Sequence, residues 1–197
     1  MDDAFKGRGV CASVESAKKA CPAIKQHQPD LAIIDISLKD GNGIDLVQEI
    51  KKHFSGLPML VLSMYDESLY AERALMAGAS GYIMKQEAIA SVVEAIRRVL
   101  AGDIYASSSV KEKVFKRLTT SSQSGDSTSP LDILTNRELE VLRLIGEGFS
   151  TKEIADRLHL SIKTIGTYRE NIKEKLNLKH FTGLVKFAVH WLEQIQH

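Results

Sequence analysis

The chain has 197 residues, of which 44% are hydrophobic and 26% charged, and its formal net charge is +1. These proportions are typical of a soluble protein that is large enough for one sizeable domain or two smaller ones. No apolar run approaches the about 20 residues that cross a bilayer, and the first residues lack the apolar core of a signal peptide. We therefore expect a cytoplasmic protein with no membrane segment. Cys11 and Cys21 lack metal-ligand spacing, which favours reduced thiols.

The first half of the chain alternates short apolar runs with amphipathic stretches. Two runs have the composition of parallel strands buried on both faces, and two shorter runs are further strand candidates: residues 31–37 and 59–64, then 10–14 and 81–85. Amphipathic helices are predicted between them, over residues 43–54, 68–79 and 88–103. Strands that alternate with helices of this length predict a doubly wound α/β fold with a parallel sheet.

Three polar residues fall at the carboxyl ends of these strands. Asp35 lies late in the first run, Ser63 at the end of the second, and Lys85 at the end of the last. Functional groups of open α/β sheets gather at this rim. A carboxylate, a hydroxyl and an ammonium there suit phosphoryl transfer to Asp35, with the lysine offsetting the phosphoryl charge. The alternative is that Asp35 caps a strand end and Lys85 is a solvated charge, and the spacing alone does not decide between them.

The second half begins after a small, polar stretch at residues 119–130, which predicts a flexible linker. Beyond it, two capping boxes open predicted helices: Thr135 with Glu138, and Ser150 with Glu153. A tight break at residues 159–160 separates the second helix from a third, capped by Ser161, and a fourth is predicted over residues 180–195. Two short helices joined by so brief a turn, the second polar and basic outside, are typical of a helix-turn-helix DNA-binding unit.

The first half resembles the receiver domain of bacterial response regulators from residue 8 to about residue 106. The matching segments are PDLAIIDISLKDGNGIDLVQEI, PMLVLSMYD and ALMAGASGYIMK, in that order. The resemblance implies a flavodoxin-like sheet of strand order 2-1-3-4-5 and a histidine kinase as partner. It also implies roles for four residues: Asp35 as phosphoacceptor and Mg²⁺ ligand, Ser63 as switch hydroxyl, Lys85 as phosphate-contacting lysine, and Tyr82 as the aromatic whose rotamer reports phosphorylation. For Tyr82, a plain core aromatic is the alternative.

The resemblance starts late in the domain. The family's first strand ends in adjacent acids that hold Mg²⁺, but only MDDAFKG and a few further residues precede the candidate strand at 10–14. Asp2 and Asp3 look like that acidic pair, yet no strand precedes them, so the expected Mg²⁺ site is incomplete. The missing strand would lie mid-sheet, and its loss would leave unpaired strand edges. Three explanations stay open: a start farther upstream, a degenerate receiver that takes no phosphate, or contacts supplied by another chain.

Residues 134–176, LTNRELEVLRLIGEGFSTKEIADRLHLSIKTIGTYRENIKEKL, resemble the LuxR-type output domain of the NarL/FixJ subfamily. The resemblance implies double-stranded DNA as a partner, a third helix that enters the major groove, and a homodimer joined through the last helix. The apolar residues of that last helix could equally belong to the core of the domain. The residues near DNA would then be Lys163, Thr164 and Thr167 at base edges or phosphates, and Arg169 and Lys173 along the backbone. The expected domains are a receiver at 1–106, a flexible linker at 107–130 and a LuxR-type helix-turn-helix domain at 131–197.

These observations favour a DNA-binding transcription regulator that is activated by phosphorylation of Asp35. One alternative keeps the DNA binding without phosphorylation, and it is favoured by the missing acidic pair. Another is an interaction protein that titrates full-length homologues as mixed dimers, against which the intact output domain argues. A quorum-sensing regulator would share only the output domain. An enzyme is not expected, because the sequence has no Ser/His/Asp order, zinc-ligand spacing or Gly-rich phosphate loop.

Overall fold

The structure, a computed structural model, describes residues 9–120 and 130–195. All the described strands lie before residue 100, interspersed with helices. Beyond it, the described residues form helices, apart from one parallel β-bridge between Tyr105 and Gly81. The strands are β1 (Ala32–Asp35), β2 (Ser37–Leu38), β3 (Gly41–Asn42), β4 (Met59–Ser63) and β5 (Gly81–Met84). The helices are α1 (Ala17–His27), α2 (Gly43–His53), α3 (Glu67–Met76), α4 (Ile89–Leu100), α5 (Ser108–Thr120), α6 (Asn136–Gly146), α7 (Thr151–Leu158), α8 (Ile162–Lys175) and α9 (Phe181–Ile195).

Within the described residues, the central sheet has three parallel strands in the order β1-β4-β5. The side chains of successive residues in β4 point to opposite faces of the sheet. Met59 and Val61 lie in the core that includes α2, whereas Leu60 packs with the buried residues of α4. Burial of both faces explains the nearly continuous apolar runs in the sequence. The prediction of a parallel α/β sheet followed by an all-helical unit is confirmed.

The prediction of a strand at residues 10–14 is wrong, because these residues form no strand in the structure. A strand needs a neighbour to receive its backbone hydrogen bonds, and the described residues hold no strand between this segment and β1. In the part of the chain that the structure describes, β1 is therefore an edge strand, and its Ile33 is 51% exposed. A groove of about 760 Å³ lies between residues 9–14, α1 and β1, where the receiver resemblance places the missing strand.

The first part of the predicted flexible linker at 107–130 is helical instead. Helix α5 packs on α3, with Val110 buried and the Ser107 backbone N–H donating to Glu67 Oε1 at 2.7 Å. The sequence prediction rested on the small residues at 119–130 and overlooked this apolar contact. Residues 121–129, the centre of the predicted linker, lie outside the described residues.

Within residues 130–195, four helices form the second unit, and its two predicted capping boxes are present. Thr135 and Ser150 each accept a hydrogen bond from the backbone N–H of the glutamate three residues later, whose side chain accepts from the cap's own N–H. His159 ends α7 with a φ of 53°, so the chain turns sharply into α8. Among the described residues, no helix has the length and apolar character that a membrane span requires.

Candidate functional site

The carboxyl rim of the sheet brings Asp35 and Lys85 into contact. Asp35 is the last residue of β1, and Lys85 directly follows β5. The Lys85 Nζ atom lies 2.5 Å from Asp35 Oδ2, and the backbone N–H of Ser37 donates to Asp35 Oδ1 at 3.1 Å. Both charged side chains remain about one-third exposed, at 35% for Asp35 and 32% for Lys85. A solvent-accessible carboxylate beside a fixed cation suits an acceptor of a negatively charged group.

Ser63 and Tyr82 lie beneath this rim and are buried. Ser63 ends β4, where its hydroxyl oxygen accepts from the backbone N–H of Tyr65 at 3.0 Å and its carbonyl accepts from the N–H of Lys85 at 2.6 Å. The Tyr82 hydroxyl donates to the Tyr65 carbonyl at 2.8 Å. Burial raises the pKa of Tyr82, so its hydroxyl stays protonated and acts as a donor.

The loop after Asp35 is fixed by close backbone packing. The Gly43 N–H donates to the Ile36 carbonyl at 2.8 Å, and a Cβ on Gly43 would lie 2.1 Å from the Asp35 carbonyl oxygen. The carboxylate of Asp40, in the same loop, caps α1 by accepting from the Ser16 hydroxyl at 2.5 Å and the Ala17 N–H at 2.8 Å. The hydrogen bond from Ser16 is the main cause that lowers the pKa of Asp40. Sequence reasoning missed this capping contact because it joins segments distant in the chain.

The described residues do not fit a Mg²⁺ site at the rim. Divalent magnesium is held by several oxygen ligands in octahedral geometry. Within residues 9–120 and 130–195, no group of three or more His, Cys, Asp or Glu side chains is placed to hold a metal ion. Asp35 is the one predicted ligand among them, and its carboxylate already contacts the Lys85 ammonium. Asp2 and Asp3 lie outside the described residues.

Helix α8 presents part of the predicted DNA-binding set to solvent. Lys163 and Thr167 are exposed, and Thr164 is half-buried near the Ser161 cap, whose hydroxyl accepts from the Thr164 N–H at 3.0 Å. Gly166 adjoins them on the helix, and a Cβ added there would meet no atom within 4 Å. The fold therefore does not require glycine at this position.

The two predicted backbone contacts, Arg169 and Lys173, are engaged within the chain. The Arg169 guanidinium lies 3.6 Å from the centre of the Phe181 ring, and burial lowers its pKa. Lys173 pairs with Glu170 at 2.7 Å. Both side chains are half-buried, and Arg169 lies at the junction of α8 and α9.

Helix α6 also packs against the first unit, which sequence reasoning did not predict. Three charged side chains form what we call the docking face of α6, namely Arg137, Glu140 and Arg143, and all three are buried. Asn42, the residue that caps α2, donates to Glu140 Oε2 at 3.4 Å, and the Arg143 guanidinium lies 4.0 Å from the centre of the Tyr65 ring. In sequence, charges at this spacing are typical of a solvated helix face.

Arg73 of α3 provides a second attachment between the two units. Its guanidinium donates to the carbonyl oxygens of Leu134 at 2.8 Å and Leu131 at 2.5 Å, and to Asn136 Oδ1 at 3.2 Å. The Asn136 side chain in turn donates to Asp45 Oδ1 at 2.7 Å. The segment leading into α6 is therefore held by the sheet-containing unit at two points.

Comparison with known proteins identifies both units. Residues 4–97 match the family model described as the response regulator receiver domain, and residues 132–188 match that of bacterial regulatory proteins of the luxR family. The oxygen regulatory protein NreC of Staphylococcus carnosus is 36% identical over 174 residues, which cover 87% of this chain and 80% of the relative. NreC of Staphylococcus aureus strain JH9 is 32% identical over 183 residues, covering 91% and 84%.

Two solved structures share the fold. RcsB from Salmonella enterica serovar Typhimurium, bound to promoter rprA in the presence of phosphomimetic BeF3−, superposes with a TM-score of 0.53 at 26% identity, covering 92% of this chain and 85% of that one. A LuxR-family two-component response regulator from Aurantimonas sp. SI85-9A1 has a TM-score of 0.52 at 27% identity, covering 59% and 84%. The first of these similarities spans both units of the chain.

Proposed function

Because this chain belongs to the response regulators that join a receiver domain to a LuxR-type DNA-binding domain, we propose that Asp35 is its phosphoacceptor and α8 its DNA-reading helix. The observation that carries the proposal is the contact between the Asp35 carboxylate and the Lys85 ammonium at an exposed strand rim. Phosphorylation of Asp35 then controls DNA binding by the second domain.

The proposed chemistry uses side chains already in place. A carboxylate oxygen of Asp35 attacks the phosphorus of a phosphohistidine on a histidine kinase, a P–O bond forms, and the P–N bond to the histidine breaks. The aspartyl phosphate carries more negative charge than the carboxylate did, and the Lys85 ammonium offsets part of it. The Ser63 hydroxyl donates to a phosphoryl oxygen. The ring of Tyr82 is buried beside Ser63, so its packing changes when the Ser63 hydroxyl moves.

Phosphorylation is tested by treating the full chain with acetyl phosphate, with Mg²⁺ or with EDTA, and measuring intact mass. We expect a single phosphoryl adduct that Asp35→Asn abolishes. Asp30→Asn is the matched control, because Asp30 is an exposed carboxylate just before the same strand. The absence of an adduct on a chain that circular dichroism shows to be folded would refute the assignment. An adduct that forms only with Mg²⁺ would place metal ligands beyond the described residues.

The DNA contact is proposed to run along the exposed side of α8. Lys163, Thr164 and Thr167 would contact bases or phosphates, while Arg169 and Lys173 would reach the backbone after leaving their present partners. Lys163→Ala should reduce the slope of log affinity against log salt by about 1, as expected for one lost phosphate contact. Lys52→Ala, which changes an exposed lysine on α2 of the receiver, should leave the slope unchanged. Fluorescence anisotropy with a labelled duplex at several salt concentrations measures both.

We also propose that two copies bind DNA as a homodimer through α9. Leu184, Ala188 and Trp191 of this helix are buried in the core of the domain. Phe181 and Val189 are exposed, so the outward side of α9 is apolar in part. A two-fold pair of helix-turn-helix units would meet half-sites about one helical turn of DNA apart. Light scattering on the chain with and without acetyl phosphate tests this. A monomer at every concentration, with or without duplex, would contradict it.

A second candidate is DNA binding that does not depend on phosphorylation. It is favoured by the lack of a metal-ligand group within the described ranges 9–120 and 130–195. The two candidates differ in one measurement, the affinity for duplex DNA before and after acetyl phosphate. Equal affinities on a chain that forms no adduct would support this second candidate.

A further inference from the structure

Tyr65 is bonded on three sides to the phosphoacceptor rim. Its hydroxyl shares a hydrogen bond of 2.9 Å with the Ser37 hydroxyl, and Ser37 itself donates its backbone N–H to Asp35 Oδ1. The Tyr65 N–H donates to the Ser63 hydroxyl at 3.0 Å, and the Tyr65 carbonyl accepts from the Tyr82 hydroxyl at 2.8 Å. A change at any of these groups therefore alters a hydrogen bond of the Tyr65 backbone or of its hydroxyl, directly or through Ser37.

The ring of Tyr65 is also in contact with the DNA-binding domain. The guanidinium of Arg143, on the docking face of α6, lies 4.0 Å from the ring centre, and Arg143 is only 7% exposed. A cation–π contact is strongest when both partners are removed from water. Tyr65 therefore contacts groups of the rim on one side and α6 on the other.

Other contacts between the phosphoacceptor loop and α6 are weaker. The Asn42 amide lies 3.4 Å from Glu140 Oε2, and Arg137 Nη1 lies 3.5 Å from the Gly41 carbonyl oxygen. Both distances are at the outer limit for a hydrogen bond. The stacking of the buried Arg143 guanidinium on the Tyr65 ring is thus the best-formed of the three contacts between the rim and the docking face.

We propose that Tyr65 is the positioning residue that transmits the phosphorylation state of Asp35 to α6. The inference rests on the proposed function, since it requires a phosphoryl group on Asp35. When the Ser63 hydroxyl turns to a phosphoryl oxygen, its hydrogen bond with the Tyr65 N–H changes. When Asp35 Oδ1 is phosphorylated or displaced, the hydrogen bond that it accepts from the Ser37 N–H changes as well. The ring then moves relative to Arg143, and α6 is held less firmly.

Hydrogen–deuterium exchange of α6, followed by mass spectrometry with and without acetyl phosphate, tests the relay. Local opening sets the exchange rate of such amides. In the wild-type chain we expect phosphorylation to speed exchange of α6 by about fivefold, the low end of typical coupling between sites. Tyr65→Leu should abolish this phosphorylation-dependent difference. Samples are compared at equal phosphorylated fraction, read by intact mass.

Two further variants separate transmission from general weakening of the fold. Ser37→Ala and Tyr65→Phe each remove the bond between the two hydroxyls but keep the ring over Arg143, so both should reduce the difference to the same extent. Arg143→Met should abolish it. Arg98→Met is the matched control, because Arg98 lies 5.9 Å from the centre of the Tyr105 ring within the receiver and does not join the domains.

The outcomes distinguish the two proposals. An adduct on Asp35 with the same α6 response in wild type, Tyr65→Phe and Arg143→Met would overturn the relay and leave the proposed function intact. No adduct on the wild-type chain would overturn the phosphoacceptor assignment and the relay with it. Loss of the response in Arg98→Met as well would also overturn the relay, because any weakening of the fold would then suffice.

Discussion

Gly146 lies where α6 meets α9, and it leaves no room for a side chain. A Cβ at this position would lie 2.7 Å from the Ala188 carbonyl oxygen and 2.9 Å from its carbonyl carbon. These are backbone atoms of a packed helix, so they cannot move aside as a flexible side chain would. Gly146→Ala should therefore separate the two helices or bend one of them.

The magnitude follows from two opposing effects. Forcing one extra carbon into a packed contact costs about 1–3 kcal/mol. Replacing an interior helical glycine with alanine gains about 1 kcal/mol, and less at Gly146 because it is the last residue of α6. We expect a net loss of about 1–2 kcal/mol in the free energy of unfolding of the DNA-binding domain. For a domain of this size, that loss lowers Tm by at least about 4 °C.

Trp191 provides the assay, because it is the single tryptophan and lies buried in α9. Its fluorescence during thermal or urea unfolding reports on the DNA-binding domain. Gly166→Ala is the matched control, since a Cβ there meets nothing within 4 Å and should raise stability by about 1 kcal/mol. Equal or greater stability of Gly146→Ala relative to wild type would refute the steric reasoning.

Three further predictions concern the receiver, the DNA-binding domain and the attachment between them. Gly43→Ala should displace the Asp35 loop, because its Cβ would lie 2.1 Å from the Asp35 carbonyl oxygen; adduct formation with acetyl phosphate should fall. Burial opposes ionisation of Glu138, but hydrogen bonds, chiefly from Lys175, lower its pKa below 4.5. The stabilisation that ionised Glu138 contributes is therefore complete above pH 4.5 and is lost as the pH falls through the lowered pKa. The urea midpoints of Glu138→Gln and of the wild-type chain should consequently converge in acid. Arg73→Lys removes the guanidinium that donates to the carbonyl oxygens of both Leu134 and Leu131. The two domains should then be held together less firmly, and X-ray scattering should show a larger radius of gyration.

Local and periodic features of the structure could be predicted from the sequence. The apolar runs at β1 and β4 indicated buried parallel strands, and the capping boxes at Thr135 and Ser150 marked two helix starts. The rim contact between Asp35 and Lys85 was expected from their positions at strand ends. Each of these features depends on residues close in sequence or on one general rule of sheet topology.

Features that depend on a distant partner could not be predicted. Residues 10–14 have the composition of a strand, but pairing requires a neighbour that the described residues do not supply. Arg143 has the appearance of a solvated charge until Tyr65 covers it. Asp40 gives no sign that it caps α1, because the contact closes a loop of more than 20 residues. In each case the deciding atom belongs to another segment.

The docking face of α6 also bears on how such domains can be recombined. Its Arg137, Glu140 and Arg143 are charged, so water can solvate them whenever the receiver is absent. A DNA-binding domain excised at residue 130 would therefore expose charged side chains, rather than an apolar surface, on this face. A chimera carrying a foreign receiver would fold for the same reason, yet it would lack Tyr65 and Asn42 opposite these charges. Grafting would then preserve recognition of DNA while removing its response to the new receiver.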